Sequence, residues 1–240
     1  MKIPTFWDFL PFLIAGIPIT LELTLIAMAL AMPISVVLAL GRNSQFAALR
    51  WPAGFVIELF RGSSALVQLF WAFYVLPMFG LNLPPMVAGI LVLAINEGAY
   101  FSEVVRAALN AVPPGQREAA VTLHLPRRYR FFRIILPQAL PIMIPPFGNA
   151  LVTMLKFTAL VSLVTIQELS FRASLVRTST GDSASVYSFT LLIYFALALI
   201  LGGAVKLLER HVNRQAGREV SPLFKRRQTT IPDWALGGGR

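Results

Sequence analysis

Cysteine is missing from all 240 residues, and charge is scarce, with Asp, Glu, Lys and Arg making up 13% of the chain against 56% hydrophobic residues. The first absence excludes a disulfide framework and a thiolate metal site. The second excludes an ordinary soluble domain, in which about a quarter of residues are charged, and points to the membrane class. Histidine occurs only at His124 and His211, in no H-E-x-x-H or comparable spacing. No metal site and no catalytic residue is therefore expected. A G-x-x-x-x-G-K-[ST] phosphate loop is absent too, so the chain is expected to bind no cofactor and to hydrolyse no ATP by itself. At the N-terminus Lys2 is the sole cation, Asp8 follows, and no small-residue cleavage site precedes the long apolar run. The first helix is expected to stay in place rather than to be removed as a signal peptide.

What is present is uncharged length. No charged residue lies between Glu22 and Arg42, Arg61 and Glu97, Arg133 and Lys156, or Asp182 and Lys206. About 20 apolar residues cross a bilayer as a helix, so each gap holds at least one crossing. The longest gap is broken by "LPMFGLNLPP" at 76–85, whose Pro and Gly mark a turn. The spacing predicts an all-α polytopic membrane protein with about five spans, near 17–41, 58–79, 85–108, 134–156 and 184–208. It leaves 1–16 as an extracytoplasmic or interfacial segment, 17–210 as the transmembrane domain, and 211–240 as a basic, polar and flexible tail.

Lys and Arg set the orientation, because they accumulate on the cytoplasmic side. With the N-terminus outside and the C-terminus inside, the outer segments hold only Lys2, Arg172 and Arg177. The net charge of +10 lies at the ends of apolar spans and not on an aromatic-laced polar domain. Anionic membrane lipid is thus the expected partner of these cations, and nucleic acid is not.

A few ionisable groups fall at membrane depth, where a charge is costly and faces a cavity or a partner. Glu103 and Arg106 are three residues apart and should simply pair on one helix face. Glu97 sits in "LAINEGAYF", beside Asn96 and next to Gly98 and Ala99, which would let a second helix approach closely. It either lines a polar pathway, meeting a cationic group of a substrate, or bridges to Lys156. The run "LPQALPIMIPPFGN" at 136–149 is dense in proline and is expected to kink or break its helix beside such a pathway. The eleven residues "FTALVSLVTIQ" would span about 16 Å as a helix, roughly half the hydrocarbon core.

Between the third and fourth spans, on the expected cytoplasmic face, Pro113, Pro114 and Gly115 end one helix, "QREAAVTL" starts a short one, and "HLPRRYRFF" turns and starts again. Glu118 would project there, Ala119 and Ala120 would leave a low surface for a partner, and Arg127, Arg128 and Arg130 could hold headgroups or acidic residues. This loop, 110–133, resembles the "EAA" loop of permease subunits of ATP-binding-cassette importers. The blocks "TLELT", "FRGSSALVQLF", "AYFSEVVRAALNAVPPGQREAA", "ILPQALP" and "PPFGNALVTMLKFTALVSLVTIQEL" resemble, in order, those of the polar amino acid branch, whose members carry histidine, glutamine, glutamate, arginine or opines.

That resemblance implies a type I importer permease fold in a bacterial cytoplasmic (inner) membrane, crossing it several times. It implies a second permease chain, identical or paralogous, two cytoplasmic ATPase subunits that hold the ATP and Mg, and an extracytoplasmic solute-binding protein. Glu118, Ala119, Ala120, His124, Arg127 and Arg128 are the ATPase-coupling residues it implies. Glu97, Asn96, Asn149, Lys156 and Thr158 are the candidate substrate pathway.

Two departures stand out. His124 occupies a position where the family usually has Gly; His is among the few other residues enriched in left-handed turns. Phe157 follows Lys156 where an acid is common, which frees Lys156 to face Glu97, another chain or a substrate carboxylate. Loose resemblance of "LVSLVTIQELSFRA" to permeases for compatible solutes adds a zwitterion such as ectoine to the expected cargoes. A stand-alone channel or ion-coupled carrier is the alternative, with Glu97 and Lys156 as coupling groups. A membrane-embedded enzyme is opposed by the lack of any reactive cluster.

Overall fold

A computed structural model describes residues 9–215, with side chains to residue 211. The expectations for residues 1–8, and for most of the basic tail, lie outside the described residues. Every regular element among those described is helical. In order they are α1 (Leu10–Ile14), α2 (Ile17–Arg42), α3 (Ala47–Gly62), α4 (Ala65–Phe70), α5 (Pro85–Asn110), α6 (Pro114–Thr122), α7 (Arg127–Tyr129), α8 (Leu136–Phe157), α9 (Leu169–Thr180) and α10 (Ser183–Gln215). A π turn, Trp71–Val75, and a 3-10 turn, Leu76–Phe79, extend α4. Another π turn, Arg130–Ile135, joins α7 to α8, and a 3-10 stretch, Thr158–Val164, follows α8.

Four continuous stretches are long and apolar enough to cross a membrane, Leu10–Arg42, Pro85–Asn110, Arg127–Val164 and Ser183–His211. A fifth is bent by 104° between Ala47–Gly62 and Ala65–Phe79. This corrects the expectation of one helix near 58–79. The apolar gap after Arg61 marks only the second half of that span, and the first half is the amphipathic α3, which carries Arg50, Glu58 and Arg61.

The break expected at the prolines of 136–149 does not occur. α8 runs without interruption through Pro141, Pro145 and Pro146, because the loss of a few backbone donors is tolerated when packed neighbours hold the backbone. The chain breaks instead at Ser63 and Ser64, both extended.

The spans form a bundle centred on α5. Its most apolar stretch is 67% buried, against 11% for α10, so α5 packs on protein over most of its surface while α10 keeps most of its surface outward. One contiguous core draws Leu23, Ala27 and Met28 from α2, Leu93, Phe101 and Val105 from α5, and Met143 and Met154 from α8. Small residues set the α2–α5 spacing as their placement predicts: a Cβ on Gly98 would lie 2.7 Å from Ile34 Cγ2. A smaller cluster of Leu13, Leu169, Ala173, Val176 and Val186 joins α1, α9 and α10. Asp182 starts α10, its Oδ1 accepting the Ser185 N–H at 3.0 Å; the Ser185 hydroxyl and N–H hold its carboxyl below the usual range.

Candidate functional site

At the break between α3 and α4 the chain exposes carbonyls that a continuous helix would have used. Inside a bilayer each needs a donor from protein. Ser63 Oγ donates to Leu59 O at 2.6 Å, Gln68 Nε2 to Phe60 O at 2.9 Å, and Asn96 Nδ2 to the same carbonyl at 3.1 Å. Tyr100, one turn further along α5, donates its hydroxyl to Arg61 O at 3.0 Å. Asn96 also donates to Gln68 Oε1 at 3.0 Å, which joins the two amides. Gln68 escaped the sequence reading because its partners lie 5 to 28 positions away and only the bend brings them together.

The residues proposed for a pathway are therefore not one cluster. Asn96 is buried and already engaged at the break. Glu97, its neighbour, is also buried, but its carboxyl finds no hydrogen-bond or ion partner among the described residues. No ion pair joins it to Lys156, which is exposed, as is Asn149; the bridging alternative for Glu97 is not the one the fold adopts. The ion pairs seen among the described residues are Arg106–Glu103 at 2.5 Å, as expected from their spacing, and Arg42–Glu58 at 4.0 Å. Thr158 is fully enclosed, its hydroxyl donating to Leu155 O at 2.7 Å.

A second polar knot was not foreseen. Glu168, with no exposed surface, caps α9 by accepting the Phe171 N–H at 2.9 Å. Its other oxygen accepts the Tyr194 hydroxyl at 2.7 Å and the Thr20 hydroxyl at 3.4 Å. One carboxyl thus ties α2, α9 and α10. Gly16 permits the approach, since a Cβ there would lie 2.8 Å from Leu169 Cα. The only local clue was an acidic residue just before a helix, an N-cap signal.

The 110–133 loop is built differently. Arg117 donates through its guanidinium to Leu109 O and folds α6 back on the end of α5. Beyond Thr122 the chain turns through His124 at φ 52°. His124 N donates to Val121 O at 2.9 Å and Leu125 N to Ala120 O at 3.2 Å, the paired bonds of a Schellman cap with His where Gly is usual. Glu118, Ala119, His124, Arg127 and Arg128 are exposed, and none of these ionic side chains has a partner among the described residues. Ala120 differs from expectation: it is buried within the chain, because the inward face of α6 has to cover apolar surface. The low open surface is at Ala119. A separate helix after the turn is also shorter than expected, since the three residues of α7 run through the π turn into α8.

Comparison with known proteins gives a consistent picture. The family whose model matches residues 31–214 is described as "Binding-protein-dependent transport system inner membrane component". A probable amino-acid ABC transporter permease protein of Sinorhizobium fredii, y4tF, is 41% identical over 88% of this chain and 91% of its own. The L-cystine transport system permease protein TcyB of Bacillus subtilis is 34% identical over 88% of this chain and 93% of its own. Among solved structures, an amino acid ABC transporter crystallised with histidines superposes at a TM-score of 0.80 and 33% identity, over 88% of this chain and 99% of that one. The inward-facing methionine ABC transporter MetNI shares the fold, with a TM-score of 0.73 at 21% identity over 85% of this chain and 97% of that one.

Proposed function

The chain belongs to the binding-protein-dependent transport system inner membrane component family, and from that premise we propose how it couples to its partners and what it carries. It is a multi-pass inner-membrane permease with the fold of type I ABC importer permeases, and the likeness favours this role over a stand-alone channel or carrier. Its cargo, in our reading, is a polar amino acid. Relatives named for L-cystine, arginine and glutamine support this class ahead of a compatible solute such as ectoine.

The permease pairs with a second permease chain, a copy or a paralogue, and an extracytoplasmic binding protein delivers the solute. Two cytoplasmic ATPase subunits, which carry the ATP and Mg, dock on the α6 loop. The observation that carries this assignment is that the loop is rigidly built yet leaves Glu118, Arg127 and Arg128 exposed and unpaired. Arg117 and the His124 turn hold its shape, so the charges are positioned without being used internally. Ala119 lets the partner come close, His124 sets the angle of the turn, and Ala120 anchors the helix from beneath. Closure of the ATPase pair would draw the two loops together and rotate the spans from inward- to outward-facing. Glu97, buried and unpaired on the central helix, is the residue we place on the solute path; Asn96 supports it from the break. Exposed Lys156 and Asn149 and enclosed Thr158 are weaker candidates for that path.

The test is Glu118→Lys, with permease assembly checked independently. ATPase docking and ATP-driven uptake should fall, because a cation replaces the anion at the contact. Normal uptake by this variant would remove the loop from the coupling role. Mass spectrometry of the gently purified complex should recover a Walker-motif ATPase in equal amount to the permease chains.

A further inference from the structure

Arg61 ends α3 one residue before Gly62 and the break. Its carbonyl is held by Tyr100, and its guanidinium carbon lies 5.5 Å from the centre of the Tyr100 ring. Its Nε is buried and donates to nothing. Arg117, the other arginine with such an Nε, differs: another guanidinium nitrogen of Arg117 is bound to Leu109 O, and it belongs to the α6 loop. Arg61 has neither a hydrogen bond from its guanidinium nor a carboxylate within ion-pair distance among the described residues.

Its depth makes this unusual. Asn96 and Tyr100, which hold Phe60 O and Arg61 O, lie about 17 and 23 Å along α5 from Pro85 at the helical rise. Arg61 is therefore placed well within a span and away from both of its ends, where lipid phosphates lie. A guanidinium at such depth is expensive to leave unpaired and marks a pathway or a partner. The carbonyl-rich end of α3 and the Tyr100 ring hold the cation in place, but both leave the planar fork, suited to bidentate carboxylate recognition, unfilled.

We propose that Arg61 is a carboxylate-binding residue of the translocation path, pairing with the α-carboxylate of the amino acid in transit while Tyr100 orients it. The inference rests on the amino-acid importer reading, whose cargo always carries that group. It also separates labour on α5: Asn96 and Tyr100 shape the break that presents Arg61, and Glu97, the next residue, remains free for an ammonium group.

The test uses the whole importer, permease with its ATPase and binding protein, in proteoliposomes supplied with a panel of polar amino acids that includes L-cystine, L-arginine and L-glutamine. For the amino acid taken up, Arg61→Gln should lower uptake at saturating binding protein by about 10- to 100-fold, as for loss of a hydrogen-bonded charge partner, while the complex assembles in unchanged stoichiometry. Arg61→Lys should recover part of it. On the wild-type complex, phenylglyoxal modification of Arg61, read by peptide mass spectrometry, should be slowed by that amino acid and not by its carboxamide. This arm decides the matter if Arg61→Gln does not fold. Unchanged uptake, or equal protection by the carboxamide, overturns the proposal. So does loss of permease pairing in Arg61→Gln, which would assign the anion to the second permease chain. Wild-type uptake that needs no ATP would sink the importer reading itself; ATP-driven uptake indifferent to Arg61→Gln sinks only this inference.

Discussion

The break in the second span and the turn after α6 are both places where a helix stops, yet they end in opposite ways. At the break, side chains from α4 and α5 reach the freed carbonyls: Gln68 and Asn96 both bind Phe60 O, and Tyr100 binds Arg61 O. At the α6 turn the backbone closes on itself through His124 and Leu125, and the polar side chains point outward. The difference teaches where function is available. Polar groups that saturate one another hold a fold; polar groups held rigid but left unsatisfied are offered to something else. Arg61 stands between the two cases, with its carbonyl bound by Tyr100 and its guanidinium over the Tyr100 ring without a hydrogen bond.

Substitutions at three places test this contrast. The largest effect is expected away from both helix ends, at Glu168, where buried polar closure is most complete. Glu168→Ala should cost about 3 kcal/mol, since it leaves the Phe171 N–H without its side-chain acceptor and takes the carboxylate from the Tyr194 and Thr20 hydroxyls in an enclosed site. Thermal unfolding in detergent measures it, and a melting curve like the wild type would show that this knot does not hold the three helices. At the break itself, Gln68→Ala and Asn96→Ala should each cost about 1 to 2 kcal/mol, and the double variant should show coupling of at least about 0.5 kcal/mol. Strict additivity would mean that the two amides act separately. The smallest effect, and of opposite sign, belongs to the exposed turn. His124→Gly should stabilise by about 1 kcal/mol, by relieving a left-handed backbone that favours glycine, with ATP-driven uptake retained. Abolished uptake would instead reveal a role for the imidazole.

The same contrast explains which parts of the site were legible beforehand. The loop was readable because its elements are local: Pro113, Pro114 and Gly115 stop one helix, and a short run to Thr122 forms the next. Even the left-handed turn at His124 followed from one residue standing where Gly is expected. Ala120 was misread, since which face of a nine-residue helix turns inward depends on what lies beneath it. The prolines of α8 and the serines before α4 show the same limit. Proline density suggested a break where α8 continues, and an uninterrupted apolar gap concealed a bend of 104°.

Sequence alone was enough to establish that this chain is helical, lies in a membrane, and presents a basic loop between its third and fourth spans. Those properties follow from composition, from the spacing of charges and from turn residues, all of which act over a few neighbouring positions. It took the packing of the helices to settle that Asn96 serves a helix break while Glu97 stays unpaired, that Glu168 joins α2, α9 and α10, and that the Arg61 guanidinium lies over Tyr100 without a hydrogen bond. The bonds of Asn96 and Glu168 join atoms from separate helices, more than 25 positions apart, and whether Glu97 or Arg61 meets a partner depends on the same distant packing. A hydrogen bond needs its two atoms within about 3 Å, and no local rule of spacing or propensity brings such distant atoms together.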